Sequence, residues 1–401
     1  MDRTIYNEQW VMARRNPNHG LLPLRRVLSK IDNPQDHIPV VHIAGTNGKG
    51  SVSNDISEIL QASGRKVGLF TSPHIAIHRD RMRIQGRCIS QEQYLVYLEQ
   101  FLPSILEENL GMFEITFLIA MQWFYDQKID IAIVECGLGG RLDSTNVIAS
   151  PVLTVLTTIG KDHTAILGER YEQIAFEKAG IMRPYTTCIV GKVPEKARKI
   201  IQKHGERLHS PIQYVENYRN TGKGIFIWEG DTYSLSMEAE YQKQNAIVAL
   251  AAVRYLGVDI HSTITKNALA MAQWAGRFEK MRDHPAIYID GAHNEAGMKA
   301  LLQNYESLSH PIISVFSALR DKPGRKMAGM LKEKSDVLIV TSFESSRSDT
   351  IEDLTIQGAM PIEQWQEAVE IAIRKAEKCG TVVITGSLYF ISEARKYFTK
   401  K

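Results

Sequence analysis

The sequence predicts an α/β protein: a P-loop domain with a mostly parallel sheet, joined to a smaller doubly wound C-terminal α/β domain. Three observations carry this expectation. Apolar, β-branched runs alternate with amphipathic stretches from residue 38 to about 205. A glycine-rich turn joins the first such strand to the first such helix. The alternation resumes after residue 277, beyond a segment of different texture.

Composition fits two soluble domains. The chain has 401 residues, whereas one core usually serves about 100–200. The border is expected near Trp274-Ala275-Gly276-Arg277, which divides the chain into residues 1–276 and 277–401. Apolar content of 44% and charged content of 23% are ordinary for a globular protein. The net charge of +3 comes without a Lys/Arg block, so no nucleic-acid partner is expected. No apolar run approaches the ~20 residues of a membrane span, and the stretch Met1 to Arg15 lacks the apolar centre of a signal peptide. Cys88, Cys136, Cys188 and Cys379 have neither metal nor redox spacing. A cytoplasmic protein, expected to be a monomer, follows.

The strands expected in the first domain are Pro39–Ala44, Val67–Phe70, Ile129–Glu135, Val152–Thr157 and Thr187–Val190. Segment Gln213–Met237 reads as an antiparallel meander, and helices return at Gln244–Leu256 and Thr263–Ala272. The second domain reads as strand Ala286–Asp290, helix Glu295–Leu308, strand Ile312–Phe316, helix Arg325–Lys332 and strand Asp336–Thr341. Helix Ile362–Lys378, strand Val382–Thr385 and a terminal helix close it, with Glu344–Asp353 as a solvated loop.

The turn after the first strand is Gly45-Thr46-Asn47-Gly48-Lys49-Gly50-Ser51. Strand, glycine loop and helix together make a phosphate cradle. Backbone N–H groups can reach phosphate oxygens, and the helix N-terminus adds partial positive charge. Lys49 can neutralise a β- or γ-phosphate, and Ser51 can offer its hydroxyl to Mg²⁺. Gly50 stands between Lys49 and Ser51, where the strict Walker pattern has none.

Other chemistry-bearing residues follow strand ends, where open parallel sheets bind ligands. Ser72 lies in Thr71-Ser72-Pro73-His74; alone, this is either a turn or a ligand. Arg79 to Gly86 is a solvated face or an anion-binding loop. Glu114 is a carboxylate in an apolar stretch, which calls for a salt bridge or a metal. The run Glu135 to Asn146 contains Gly-Leu-Gly-Gly-Arg141-Leu142-Asp143-Ser144, a loop built for close approach to a ligand. His163 follows the next strand and, alone, reads first as a core histidine satisfied by backbone, ahead of a ligand. Lys178 shares a helical face with apolar Ile174, although lysines are usually exposed.

In order, the strings GTNGKGS, SPH, GLGGRLDSTN, TTIGKDHTAILG, FEKAGI, the Gln242/Asn245 pair, WAGRFE and DGAHN span about residues 40–390. This series resembles the folylpolyglutamate and dihydrofolate synthases of the Mur ligase superfamily. The resemblance implies ATP in the glycine loop between two domains, with Mg²⁺ ligands at Ser72, Glu114 and His163. It implies a carbamylated Lys178 that binds or orients Mg²⁺. It places the nucleotide against Asn245, Arg277 and Asp290, and the pteroate part of the substrate against Asp143 and its neighbours. Lys49, His163 and Lys178 are then the expected catalytic residues. The implied reaction joins L-glutamate to a folate or dihydropteroate carboxylate through an acyl phosphate. Ala275, Pro323, Asp80 and Tyr241 depart from the family's usual residues, and none of them is a proposed phosphate or metal residue.

Other classes make different demands. A Mur-type cell-wall ligase is disfavoured by GLGGRLDSTN and by the lack of an extra domain ahead of the glycine loop. A kinase would not incorporate glutamate. A non-catalytic ATP-binding regulator would not need Lys49, Glu114, His163 and Lys178 together.

Overall fold

The computed structural model describes residues 2–15 and 20–399. Helices α1 (Glu8–Ala13) and α2 (Leu22–Ser29) precede β1 (Val40–Ala44). Then come α3 (Lys49–Ala62), β2 (Val67–Phe70), β3 (Met82–Ile84), β4 (Arg87–Cys88), α4 (Gln91–Glu107), α5 (Met112–Asp126) and β5 (Ile131–Glu135). They are followed by β6 (Leu153–Leu156), α6 (Thr164–Leu167), α7 (Tyr171–Ala179), β7 (Cys188–Val190), α8 (Glu195–Leu208) and β8 (Ile212–Tyr214). These eight strands form one sheet in the order β4-β3-β2-β5-β1-β6-β7-β8. It is parallel from β2 to β8, and β3 and β4 add an antiparallel edge.

The strands β1, β2, β5, β6 and β7 are buried at every position and mostly apolar because both faces are covered. Side chains alternate between them. Val40, Ala132 and Val134 face a core that includes Phe117, Leu118 and Phe124 of α5. Val41, Ile131, Ile133 and Val155 face another, built with Val52, Ile56, Ile59 and Leu60 of α3. That second core also takes in the three-stranded antiparallel sheet of β9 (Arg219–Gly222), β10 (Ile225–Trp228) and β11 (Asp231–Ser234), through Phe226 and Tyr233. Helix α9 (Glu240–Tyr255) packs along α3, and α10 (Thr263–Met271) follows it.

The remaining strands are β12 (Glu279–Asp283), β13 (Ala286–Asp290), β14 (Ile312–Phe316), β15 (Val337–Ser342), β16 (Ala359–Gln364) and β17 (Thr381–Thr385). They form a separate sheet, β12-β13-β17-β14-β15-β16, parallel except for β12. Its helices are α11 (Glu295–Leu302), α12 (Gly324–Lys334), α13 (Ile351–Leu354), α14 (Trp365–Ala376) and α15 (Leu388–Thr399).

Several elements differ from expectation. The Arg79 to Gly86 segment is not all loop: residues 82–84 are strand β3, paired with β2. Gln213 and Tyr214 belong to the large sheet, so the antiparallel meander starts only at Arg219. Ile362 to Gln364 end strand β16 rather than begin a helix. Six residues are too few for helical and strand periods to separate, and Pro361 is compatible with an edge position. The helix expected to reach Leu308 stops at Leu302 and is followed by a 3₁₀ turn at Tyr305–Ser307. Strand β12 was not expected, since Glu-Lys-Met-Arg-Asp lacks an apolar run. Within Glu344–Asp353, Ser348 is buried and Ile351 starts α13.

Strand β1 leads through α3 to β2 on one side, while β5 is followed by β6 on the other. This reversal opens a crevice at the carboxyl ends of the strands. Ile56 supports α3 from beneath and is fully buried. Replacing Ile56 with Ala is expected to lower the unfolding free energy of this unit by about 2–5 kcal/mol; equilibrium denaturant titration measures it.

Candidate active site at the glycine loop

The glycine loop leaves β1 and is tied to the end of β6. Thr46 Oγ1 donates to Gly160 O at 3.0 Å and accepts from Gly160 N at 2.9 Å. Asn47 O accepts from the hydroxyls of Thr157 at 2.6 Å and Thr158 at 3.0 Å. Gly48 has φ +86°, and a Cβ there would lie 2.3 Å from Asn245 Oδ1. Only glycine lets Asn245 pack on this turn. Asn245 is buried and donates to Gln242 Oε1 at 2.7 Å.

Lys49 Nζ folds back onto its own loop, 3.1 Å from Gly45 O and 3.3 Å from Thr46 O. Ser51 Oγ is buried beside it with no hydrogen-bond partner. Such an orphaned hydroxyl suits an oxygen-coordinated cation or a phosphate. Lys178 Nζ reaches the same carbonyl, Gly45 O, at 2.9 Å from α7. Burial, reinforced by the Lys49 charge, lowers the Lys178 pKa to about 7. The inward lysine is thus an amine that is substantially neutral at physiological pH.

The carboxylate that meets this group is Glu135, at the end of β5. Its Oε2 accepts from Ser72 N at 3.1 Å, and its Oε1 lies 3.9 Å from Lys49 Nζ. Burial raises its pKa, opposed by Lys49 and the Ser72 N–H. Glu114 instead serves the start of α5, where its Oε2 accepts from Gly111 N at 2.8 Å. The sequence held the signal for Glu135: a carboxylate on the last residue of a buried parallel strand, directly before a glycine run. Among the described residues, no three His, Cys, Asp or Glu side chains form a ready metal cage. A cation held by one carboxylate, hydroxyls and phosphate oxygens does not need one, which suits Mg²⁺.

His163 sits at φ +48° and is partly exposed. Burial lowers its pKa to about 4; the Lys322, His293 and Lys49 charges act in the same direction and Asp162 opposes them. Its imidazole is neutral at neutral pH and can offer a ring nitrogen. Its neighbour Asp162, unremarked in the sequence, accepts from Lys322 Nζ at 2.5 Å and Asn294 Nδ2 at 2.9 Å, with His293 Nε2 at 3.3 Å. Burial pushes the Asp162 pKa up, but His293, Lys322 and His163 together hold it far below the usual carboxylate range.

Two expected contacts are arranged differently. Asp290 is buried, and its carboxylate accepts from Tyr241 OH at 2.5 Å, Phe278 N at 2.9 Å and Ala292 N at 2.8 Å. It clamps protein segments together rather than standing open to ribose hydroxyls. Asp143 is also turned inward, accepting from Leu138 N at 2.6 Å, Thr145 N at 3.0 Å and Thr145 Oγ1 at 2.6 Å. It shapes the 137–146 loop; the members open to a substrate are Arg141 and Leu142, with Ser144 half-buried. Arg141 pairs with Glu177 at 2.9 Å, and a Cβ on Gly140 would lie 2.9 Å from Lys178 O. A Cβ on Gly180 would lie 2.6 Å from Arg141 Cα. Arg277 faces Gly291, and its charge acts on both Glu135 and Asp290. A cleft of about 550 Å³ runs past Pro73, Arg83, Trp274, Arg277, Phe278 and Arg395.

A parallel sheet with a glycine cradle at its switch point, joined to a second α/β sheet, defines a Mur-type nucleotide ligase fold. Residues 43–253 match the Mur ligase middle domain, and residues 276–388 match the Mur ligase glutamate ligase domain. The chain is 34% identical to the dihydrofolate synthase/folylpolyglutamate synthase of Bacillus subtilis (strain 168), over 94% of each chain. It therefore belongs to the folylpolyglutamate synthase/dihydrofolate synthase family of the Mur ligase superfamily. Mycobacterium tuberculosis folylpolyglutamate synthase, complexed with ADP and AMPPCP, superposes with a TM-score of 0.89 at 28% identity, covering 98% of each chain. E. coli FolC in complex with DHPP and ADP gives 0.88 at 28% identity, covering 96% of this chain and 94% of that one. A bifunctional folylpolyglutamate synthase/dihydrofolate synthase with Mn, AMPPNP and L-glutamate bound gives 0.85 at 25% identity, covering 98% of this chain and 97% of that one.

The Lys178 geometry generates a pH-dependent outcome. Its folded pKa, about 7, lies below the ordinary 10.5, so the unfolded chain binds more protons between these values. Stability attributable to Lys178 therefore rises with pH across that window, and below it the buried ammonium costs its full penalty. Lys178→Met is expected to be more stable than the parent near pH 7, with the difference shrinking toward pH 10, as measured by denaturant titration at each pH.

Proposed function

We propose that this protein is an ATP-dependent ligase that joins L-glutamate to the carboxylate of a folate or dihydropteroate substrate through an acyl phosphate. The observation that carries the reading is the meeting of Lys49, Lys178, Glu135 and Ser72 at a glycine loop whose Ser51 hydroxyl is unpartnered.

The acceptor's carboxylate oxygen attacks the γ-phosphorus of ATP, and ADP leaves. The glutamate amine then attacks the acyl carbon, phosphate leaves, and the amine gives up a proton. A free carboxylate is a poor electrophile, so phosphorylation supplies the leaving group. The chain's task is positioning and charge neutralisation. Lys49 exchanges its loop carbonyls for phosphate oxygens, and the N–H groups at the start of α3 face the same anion. Asn245 and Arg277 border the nucleotide, and Asp290 keeps the 276–292 segment in place beside it. Arg141, Leu142 and Ser144 face the acceptor. The aromatic surfaces and guanidinium groups of the 550 Å³ cleft suit a flat, anionic ligand.

Ser51, Ser72, Glu135 and His163 are the residues we assign to Mg²⁺, with Glu135 in place of Glu114. Bound there, the cation would offset charge developing on the phosphates. Lys178, as a neutral amine, is suited to react with CO₂, giving a carbamate and releasing a proton; the carbamate would put an anion where the inward amine stands, facing Mg²⁺. The cleft lies between the two sheets, with the domain border at residues 276 and 277. All four cysteines are free thiols, which accords with a cytoplasmic location, and we propose a monomer. No helix among the described residues is long and apolar enough to cross a membrane.

ADP release is expected only when ATP, L-glutamate and a pterin acceptor are all present, and testing dihydropteroate and reduced folate in turn identifies the acceptor. Acceptor phosphorylation without glutamate incorporation would refute the ligase assignment. Lys49→Ala is expected to reduce turnover by about 100-fold or more with the fold intact by circular dichroism. Activity is expected to vanish with a chelator and return with Mg²⁺. Mass spectrometry in bicarbonate at raised pH is expected to find the carbamate on Lys178.

A further inference from the structure

Helix α11 begins directly over the glycine loop, and a closed set of hydrogen bonds holds it there. Asn294 is its N-cap: Oδ1 accepts from Gly297 N at 2.8 Å. The same oxygen accepts from Asn47 Nδ2 at 3.1 Å, and Asn294 Nδ2 donates to Asn47 Oδ1 at 3.0 Å. The second proton of that amide goes to Asp162 Oδ2 at 2.9 Å. Every donor and acceptor of the Asn294 side chain is therefore used, with three of its four bonds crossing to the larger unit.

Asp162 completes the set from the other side. Its Oδ1 accepts from Lys322 Nζ at 2.5 Å and from His163 N at 2.8 Å. Asp162 and Lys322 side chains are 7% and 6% exposed, so this pair is shielded from the water and salt that weaken surface pairs. Beside it, a Cβ on Gly160 would lie 3.3 Å from Ala296 Cβ. The first turn of α11 is thus packed on the same turn that anchors Thr46.

We infer that Asp162 and Asn294 are positioning residues: with Lys322 they fasten the C-terminal unit to the glycine loop and set the nucleotide cleft before nucleotide arrives. The fastening acts through Asn47 and the backbone of His163. The inference deepens the proposed function and rests on its reading of the cleft as the nucleotide site. Its structural half needs no turnover to be tested.

Two variants separate the fastening from simple stability. Asn294→Asp keeps an oxygen to cap α11 but removes both amide donors and sets a second carboxylate against Asp162. Lys322→Met keeps the side-chain length and removes the cation, and Lys322→Arg restores it. Small-angle scattering of the nucleotide-free protein is expected to show a larger radius of gyration for Asn294→Asp and Lys322→Met than for the parent and Lys322→Arg. The KM for ATP is expected to rise about 5- to 150-fold in the first two, with kcat at saturating ATP changed less. Unchanged scattering together with an unchanged KM for ATP would overturn the inference. So would a Lys322→Met variant in which only the KM for glutamate rises, since Lys322 would then be contacting substrate. If Lys322→Met does not fold, Asn294→Asp alone decides by the same two readouts. A parent protein that lacks ligase activity yet expands on Asn294→Asp substitution would refute the proposed function while leaving the fastening in place.

Discussion

Two lysine side chains, Lys49 and Lys178, meet on one carbonyl oxygen, Gly45 O. Like charges brought together away from water repel strongly. The arrangement holds because Lys178 can shed its proton and because Lys49 also has Thr46 O and the nearby Glu135 carboxylate. A loop carrying this much unspent positive potential is suited to receive an anion. The surrounding structure holds that loop in place.

The rigidity comes from the parallel sheet. The ends of β1, β2, β5 and β6 deliver the glycine loop, Ser72, Glu135 and the Thr157–Thr158 anchor to one edge. Strands buried on both faces tolerate little sliding, since a one-residue slip would exchange the two core faces. Side chains from four distant parts of the sequence are therefore fixed to one another through strand register.

What the sequence disclosed depended on how local the cause was. The glycine loop, the strands that flank it and the inward Lys178 were legible because each rests on a short pattern: glycine spacing, a β-branched run, an i to i+4 relation. Strands β12 and β16 were not, because edge strands carry no continuous apolar run. The choice between Glu114 and Glu135 turned on which carboxylate faces Ser72, a relation between strands β2 and β5 that no spacing within one segment encodes. Asp290 and Asp143 were expected at ligands, and their inward hydrogen bonds appear only once Tyr241 and Thr145 are in place. Asp162 was passed over because its partners lie more than a hundred residues away, in His293, Asn294 and Lys322.

The close approach of Gly140 to the Lys178 carbonyl, and of Gly180 to Arg141, bears on how such a chain can change over generations. The two glycine-containing strings lie some way apart in sequence, yet a methyl group on Gly140 would need space held by the Lys178 carbonyl, and one on Gly180 space held by Arg141. They form one interlocking piece: a larger residue in place of either glycine would displace the backbone that carries the inward lysine. Variation in this loop is thereby channelled to a side chain that projects away from the seam, Leu142, since Arg141 is itself part of the seam. The loop's path and length stay fixed by the helix behind it. Leu142 can be exchanged without disturbing the backbone that carries Lys178.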